Sequence, residues 1–103
     1  MNTPWGKSDY QKEHGNGIVF YGTPSHGGFH VPKEELETMQ SPIFDETLRN
    51  PRFAKQCASG WFEEDCDANF VVVSFPELFT SDQVKDAQAA IKAWYPKVWE
   101  KLS

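Results

Sequence analysis

Asn16-Gly17-Ile18-Val19-Phe20-Tyr21-Gly22-Thr23-Pro24-Ser25-His26-Gly27-Gly28-Phe29-His30-Val31 is the stretch on which the fold turns. Asn16-Gly17 is a strong hairpin signal, because a type I′ turn needs positive φ at both central residues. It predicts that a polar strand over residues 8–13 pairs with an apolar strand over 18–21. Residues 22–28 then form a second, looser turn. Residues 29–31 return as a third strand, with Phe29 and Val31 on one face and His30 on the other. The N-terminal third thus reads as an antiparallel β-meander.

Downstream the pattern becomes helical. Pro32-Lys33-Glu34-Glu35 suits a helix start, since proline fits the first turn and acidic groups favour its positive end. Ser41-Pro42 ends that element, and Asn50-Pro51 punctuates residues 43–56, where short helical turns are expected around Ile43, Phe44, Leu48, Phe53 and Ala54. Ala58-Ser59-Gly60 is a break. The run Phe70-Val71-Val72-Val73-Ser74-Phe75 favours a strand through its β-branched residues, with a buried helix ending at Pro76 as the alternative. Thr80-Ser81-Asp82-Gln83 matches a capping box. Val84, Ala87, Ile91 and Trp94 or Tyr95 continue as one stripe until Pro96, and Val98, Trp99 and Leu102 form a final turn. The expected fold is α+β: a small N-terminal antiparallel β-meander packed against C-terminal helices, in a single domain spanning 1–103.

Composition narrows the function classes. A chain of 103 residues buries roughly two-thirds of its unfolded surface, enough for one core without staples. Eight Phe, four Trp and three Tyr supply much of that core, and Tyr and Trp also serve binding surfaces. The net charge of −5 argues against direct nucleic-acid binding, which needs clustered Lys and Arg. It is compatible with a basic protein partner, and more weakly with imitation of nucleic-acid charge. The sequence contains no apolar run of membrane-spanning length and no signal-peptide core at its start, so no membrane association and a cytoplasmic location are expected. Cys57 and Cys66 make no CxxC pair and read as free thiols.

Four segments could carry chemistry. Ser25-His26 offers a hydroxyl beside an imidazole, but a nucleophile needs its base within hydrogen-bond reach and an acid orienting that base. Neighbouring side chains tend to diverge, and Gly-x-Ser-x-Gly is absent, so an ordinary turn is the simpler reading. The glycine pair Gly27-Gly28 admits backbone angles that aim such side chains at a ligand. His26 and His30 could share a face of a strand and draw further metal ligands from His14, Cys57, Glu63, Glu64, Asp65 or Cys66. No recognised zinc spacing links these residues, and neither a metal nor another cofactor is expected. Glu63-Glu64-Asp65 after Trp61-Phe62 reads first as helix capping or solvated charge, then as a docking patch for a basic partner, and last as acid–base machinery. Trp94 and Trp99 read as core or lid residues. No phosphate-binding glycine loop is present.

Trp5-Gly6, Gly17-Ile18-Val19-Phe20, Thr23-Pro24-Ser25-His26-Gly27-Gly28, Gly60-Trp61-Phe62-Glu63-Glu64-Asp65, Phe75-Pro76 and Trp94-Tyr95-Pro96 occur in this order along nearly the whole chain. The combination resembles an uncharacterised domain family of small proteins from bacteriophages, plasmids and other mobile elements. The resemblance implies an accessory protein acting in the host cytosol by binding a host or phage protein, including inhibition of host defence. It marks Ser25, His26, Gly27, Gly28, Trp61, Glu63, Glu64 and Asp65 as signature residues, to which His30 is added as a neighbour on the expected surface. If the two blocks meet, His26 against Glu64 or Asp65 is the expected contact. The rival expectation is a small hydrolase or metal-dependent enzyme, with His26 as base, Glu64 or Asp65 orienting it, and Ser25 or a metal-bound water attacking.

Overall fold

The Asn16-Gly17 turn forms as its sequence demands, with φ of 56° at Asn16 and 76° at Gly17. In the computed structural model, which describes residues 1–65 and 67–102, this turn joins β3 (Tyr10–Gly15) to β4 (Ile18–Gly22). The turn at residues 23–26 leads into β5 (Gly27–His30). Two short strands, β1 (Asn2–Thr3) and β2 (Gly6–Lys7), pair as a separate N-terminal hairpin.

The main sheet has a fourth strand, β6 (Trp61–Glu63), giving the antiparallel order β3-β4-β5-β6. Register sets the faces, since directly opposed residues share a side. Phe20, Phe29 and Phe62 line up on the inner face, while Tyr21, Gly28 and Glu63, and next to them Val19, His30 and Trp61, line up on the outer one.

Helices cover the inner face. After α1 (Lys33–Leu36) and a 3-10 turn at Ser41–Phe44 comes α2 (Pro51–Ala58), capped by Asn50, whose side-chain oxygen accepts from Arg52 N. Next, α3 (Ala68–Ser74) lies against β5 and β6, with Phe70 and Val71 fully buried. A 3-10 turn at Pro76–Leu78 leads to α4 (Ser81–Trp94), which packs on α3 through Ala87 and Ile91, and α5 (Pro96–Lys101) adds Val98. The Thr80 capping box is complete: Gln83 N donates to Thr80 Oγ1 at 3.1 Å, and Thr80 N donates to Gln83 Oε1 at 2.9 Å. The arrangement is the expected α+β one, an N-terminal antiparallel sheet against C-terminal helices, with β6 joining the sheet from between α2 and α3.

Two local expectations are corrected. Residues 70–74 belong to a helix that Phe75 ends, not to the favoured strand. Ala68, Val71 and Phe75 are buried at helical spacing, and the position beside β5 is taken by β6, so the β-branched propensity is overridden by packing. At the end of α4, Trp94 is 61% exposed while Tyr95 packs against the core. Cys66, expected to be a free thiol, lies outside the described residues.

One buried polar centre ties the helical layer together. Arg49 donates to the Asp67 carboxylate through Nη2 and to the Ile43 carbonyl through Nη1 at 3.0 Å. The guanidinium lies 4.8 Å from the Phe70 ring centroid and 5.3 Å from that of Tyr95. Cys57 Sγ sits 3.7 Å from Nη1. Burial and the Asp67 carboxylate push the Cys57 thiol far above the usual thiol range, with Arg49 opposing them.

Candidate functional site

The two signature blocks meet at one end of the outer sheet face. Thr23 closes the turn before β5: its amide and its Oγ1 each donate to the His26 carbonyl at 2.7 Å, and its Oγ1 accepts from His26 N at 3.0 Å. This places the half-exposed His26 side chain beside the end of β6. Glu63 is fixed by the ladder opposite Gly28, and Glu64 N donates to the Gly27 carbonyl at 2.8 Å. His26 Nδ1 then lies 3.8 Å from Glu63 Oε1, with the Glu63 side chain only 16% exposed. Asp65 completes the group, so that one donor atom from each of His26, Glu63 and Asp65 falls within 4.8 Å of the others.

The expected His26 contact is therefore corrected in one respect. Its near partner is Glu63, joined by Asp65. Glu64 alternates to the other side of the strand, where its Oε2 lies 3.0 Å from the position a Gly27 side chain would occupy. Gly27 and Gly28 also differ from expectation: neither adopts positive φ. Both are buried, and Gly28 leaves room for the Trp5 ring, which a methyl group there would overlap along with the Phe62 carbonyl.

Trp5 comes from the N-terminal hairpin and builds an aromatic cluster on the outer face. Its ring centroid is 5.7 Å from that of Trp61, which in turn is 5.7 Å from Tyr21 and 4.6 Å from His30. Burial in this cluster lowers the His30 pKa. His30 and Trp61 thus belong to the aromatic cluster on the same face and do not line the cleft of the His26 group. Of the other suggested ligands, His14 packs 5.2 Å from the ring centroids of both Phe29 and Phe79, and Cys57 is in the Arg49 centre. Ser25 stays exposed on the turn.

His26, Glu63 and Asp65 open onto a cleft of about 370 Å³, lined also by Pro4, Trp5, Arg52, Phe53 and Gln56. The residues from α2 were missed in the sequence. Reading Asn50-Pro51 as cap and first helical residue would have placed Phe53 and Gln56 on one helix face. Phe53 is 38% exposed at the cleft wall.

Fold and site together define a small α+β protein with an aromatic and carboxylate cleft between a sheet edge and a helix. The chain belongs to DUF7007, a domain of unknown function, whose family model matches residues 1–103. No curated protein and no solved structure shows significant similarity to it. Among the described residues no helix is long and apolar enough to cross a membrane.

Proposed function

We propose that this chain is an accessory protein of phages, plasmids or other mobile elements that works in the host cytosol by binding a host or phage protein, as an inhibitor of host defence would. The carrying observation is the cleft. Four separate parts of the chain converge there, and it combines the exposed Phe53 and the Trp5 ring with the carboxylates of Glu63 and Asp65. Its volume of about 370 Å³ is near the low end of the ~300–1,000 Å³ range of ligand pockets, room for a few side chains of a partner. An aromatic anchor beside the largely buried Glu63 carboxylate and the exposed Asp65 one suits a basic residue presented within an apolar surround. Arg52 on the same wall gives the cleft polarity, so the basic group enters at the Glu63–Asp65 end.

Affinity capture from host lysate tests this, comparing wild type with folded Phe53→Ala/Asp65→Asn and with Trp94→Ala, an exposed residue outside the cleft, as a control. A stoichiometric partner should be held by wild type and Trp94→Ala but not by the cleft variant. Equal retention by all three would move the recognition surface elsewhere.

A second reading, a small hydrolase, draws on the His26–Glu63 approach of 3.8 Å, in which a carboxylate would orient an imidazole base, with Ser25 on the same turn as the nucleophile. Hydrolysis of generic ester or phosphoester substrates that survives His26→Ala unchanged would dismiss it.

A further inference from the structure

We propose that His26, Glu63 and Asp65 form a binding site for a single divalent transition-metal ion of the zinc class. The site shares the cleft with the docking reading but requires neither a partner nor a reaction. Failure of the capture experiment would leave it standing, and failure of the ion titration would leave docking standing.

Three observations carry the proposal. The first is geometric. Donors bound to one zinc ion at its usual N and O distances lie about 3–3.5 Å apart. The His26 Nδ1 to Glu63 Oε1 separation of 3.8 Å needs to close by only a few tenths of an ångström. The widest spacing, within 4.8 Å, closes by rotation of Asp65, whose side chain is exposed.

The second is preorganisation. His26 is held at its backbone by three hydrogen bonds with Thr23, and Glu63 by the β5–β6 ladder. Two of the three ligands therefore come from fixed positions, which lowers the ordering cost of binding. The third is electrostatic. The carboxylates of Glu63 and Asp65 are drawn together, the former largely out of water, where like charges repel. A divalent cation between the two carboxylates turns that repulsion into attraction. One imidazole nitrogen with two carboxylate oxygens selects zinc-like ions over magnesium or calcium, which favour all-oxygen shells. Three protein ligands leave the remaining coordination position facing the cleft, where water or a partner group can enter.

The test is calorimetric titration of the full chain with Zn²⁺, together with absorption spectra of the Co²⁺ form. Wild type should bind one ion. Glu63→Gln and Asp65→Asn, which preserve shape, and His26→Ala should each weaken binding by at least about tenfold, since even outer partners of metal ligands contribute that much. His14→Ala should bind as wild type does. Zn²⁺ should also raise the melting temperature of wild type more than that of Asp65→Asn at the same ion concentration. Absence of binding, equal binding by the carboxylate variants, or a thiolate-to-cobalt charge-transfer band would overturn the assignment.

Discussion

Replacing Arg49 by methionine should be among the most damaging single changes in this protein. The Arg49 and Asp67 side chains are 1% and 0% exposed. Arg49→Met leaves the Asp67 carboxylate in the interior without the guanidinium that balances it. Breaking one side of such a pair costs about 3–5 kcal/mol. The hydrogen bond to the Ile43 carbonyl and the contacts with the Phe70 and Tyr95 rings are lost in the same step and are contained in that figure. For a chain of this size, 1 kcal/mol corresponds to roughly 4–8 °C, so the melting temperature should fall by at least about 12 °C.

The companion variant Arg49→Met/Asp67→Leu should recover most of that loss, because exchanging a buried pair for apolar residues of similar volume is often close to neutral. Arg49 Nε has no hydrogen-bond partner among the described residues, so the native pair is itself imperfectly compensated. Urea denaturation of wild type, both single variants and the double variant closes the cycle. A single variant within about 1 kcal/mol of wild type, or a double variant no better than the worse single, would refute the assignment of a coupled buried pair.

Other perturbations test separate parts of the structure. Gly28→Ala should destabilise by about 1–3 kcal/mol and change the Trp emission, because the added methyl displaces Trp5; an unchanged spectrum would sink the packing argument. Thr80→Ala should cost about 1 kcal/mol in denaturant unfolding by removing the helix cap, and a neutral result would show that the cap is redundant. Burial, with Lys12 adding to it at His14, lowers the pKa of both His14 and His30 below the ordinary 6.5. The unfolded chain then binds more protons, so their contribution to stability is present above pH 6.5 and is lost as the pH falls through the folded values. The urea midpoint should decline across that range, and His14→Phe should flatten the slope; a midpoint indifferent to pH would contradict this. Cys57 should resist alkylation in the folded protein and react in denaturant, as peptide mass mapping would show.

What the sequence revealed depended on how local the determining physics was. The Asn16-Gly17 turn and the Thr80–Gln83 box are each settled within four residues, and both formed as read. The segment 70–75 was undecidable by pattern, because a short apolar run satisfies a buried strand and a buried helix equally. Its outcome depended on β6, whose three residues are too few to show alternation. The site divides in the same way. His26 and the acidic block were visible as chemistry, but choosing Glu63 over Glu64 required the β5–β6 register, since one step along a strand reverses the face. Trp5, Arg52 and Phe53 reached the cleft only through the tertiary fold.

The glycine pair connects these levels. Read as a sequence, Gly27-Gly28 suggested unusual backbone angles that would aim Ser25 and His26. The two residues instead sit in ordinary extended strand, and what they provide is space. The missing side chain at Gly28 lets Trp5 settle over the sheet against Trp61, which brings the N-terminal hairpin to the edge of the cleft. Without that wall, His26, Glu63 and Asp65 would face solvent on one side more and share less of a pocket. A substitution at Gly28 should therefore weaken whatever the cleft binds, ion or protein, by displacing Trp5 and pressing on the Phe62 carbonyl next to Glu63. Glu63→Gln should leave the aromatic wall and the Trp emission intact while weakening ion binding. Glu63→Gln thus tests the chemistry of the site with its shape retained.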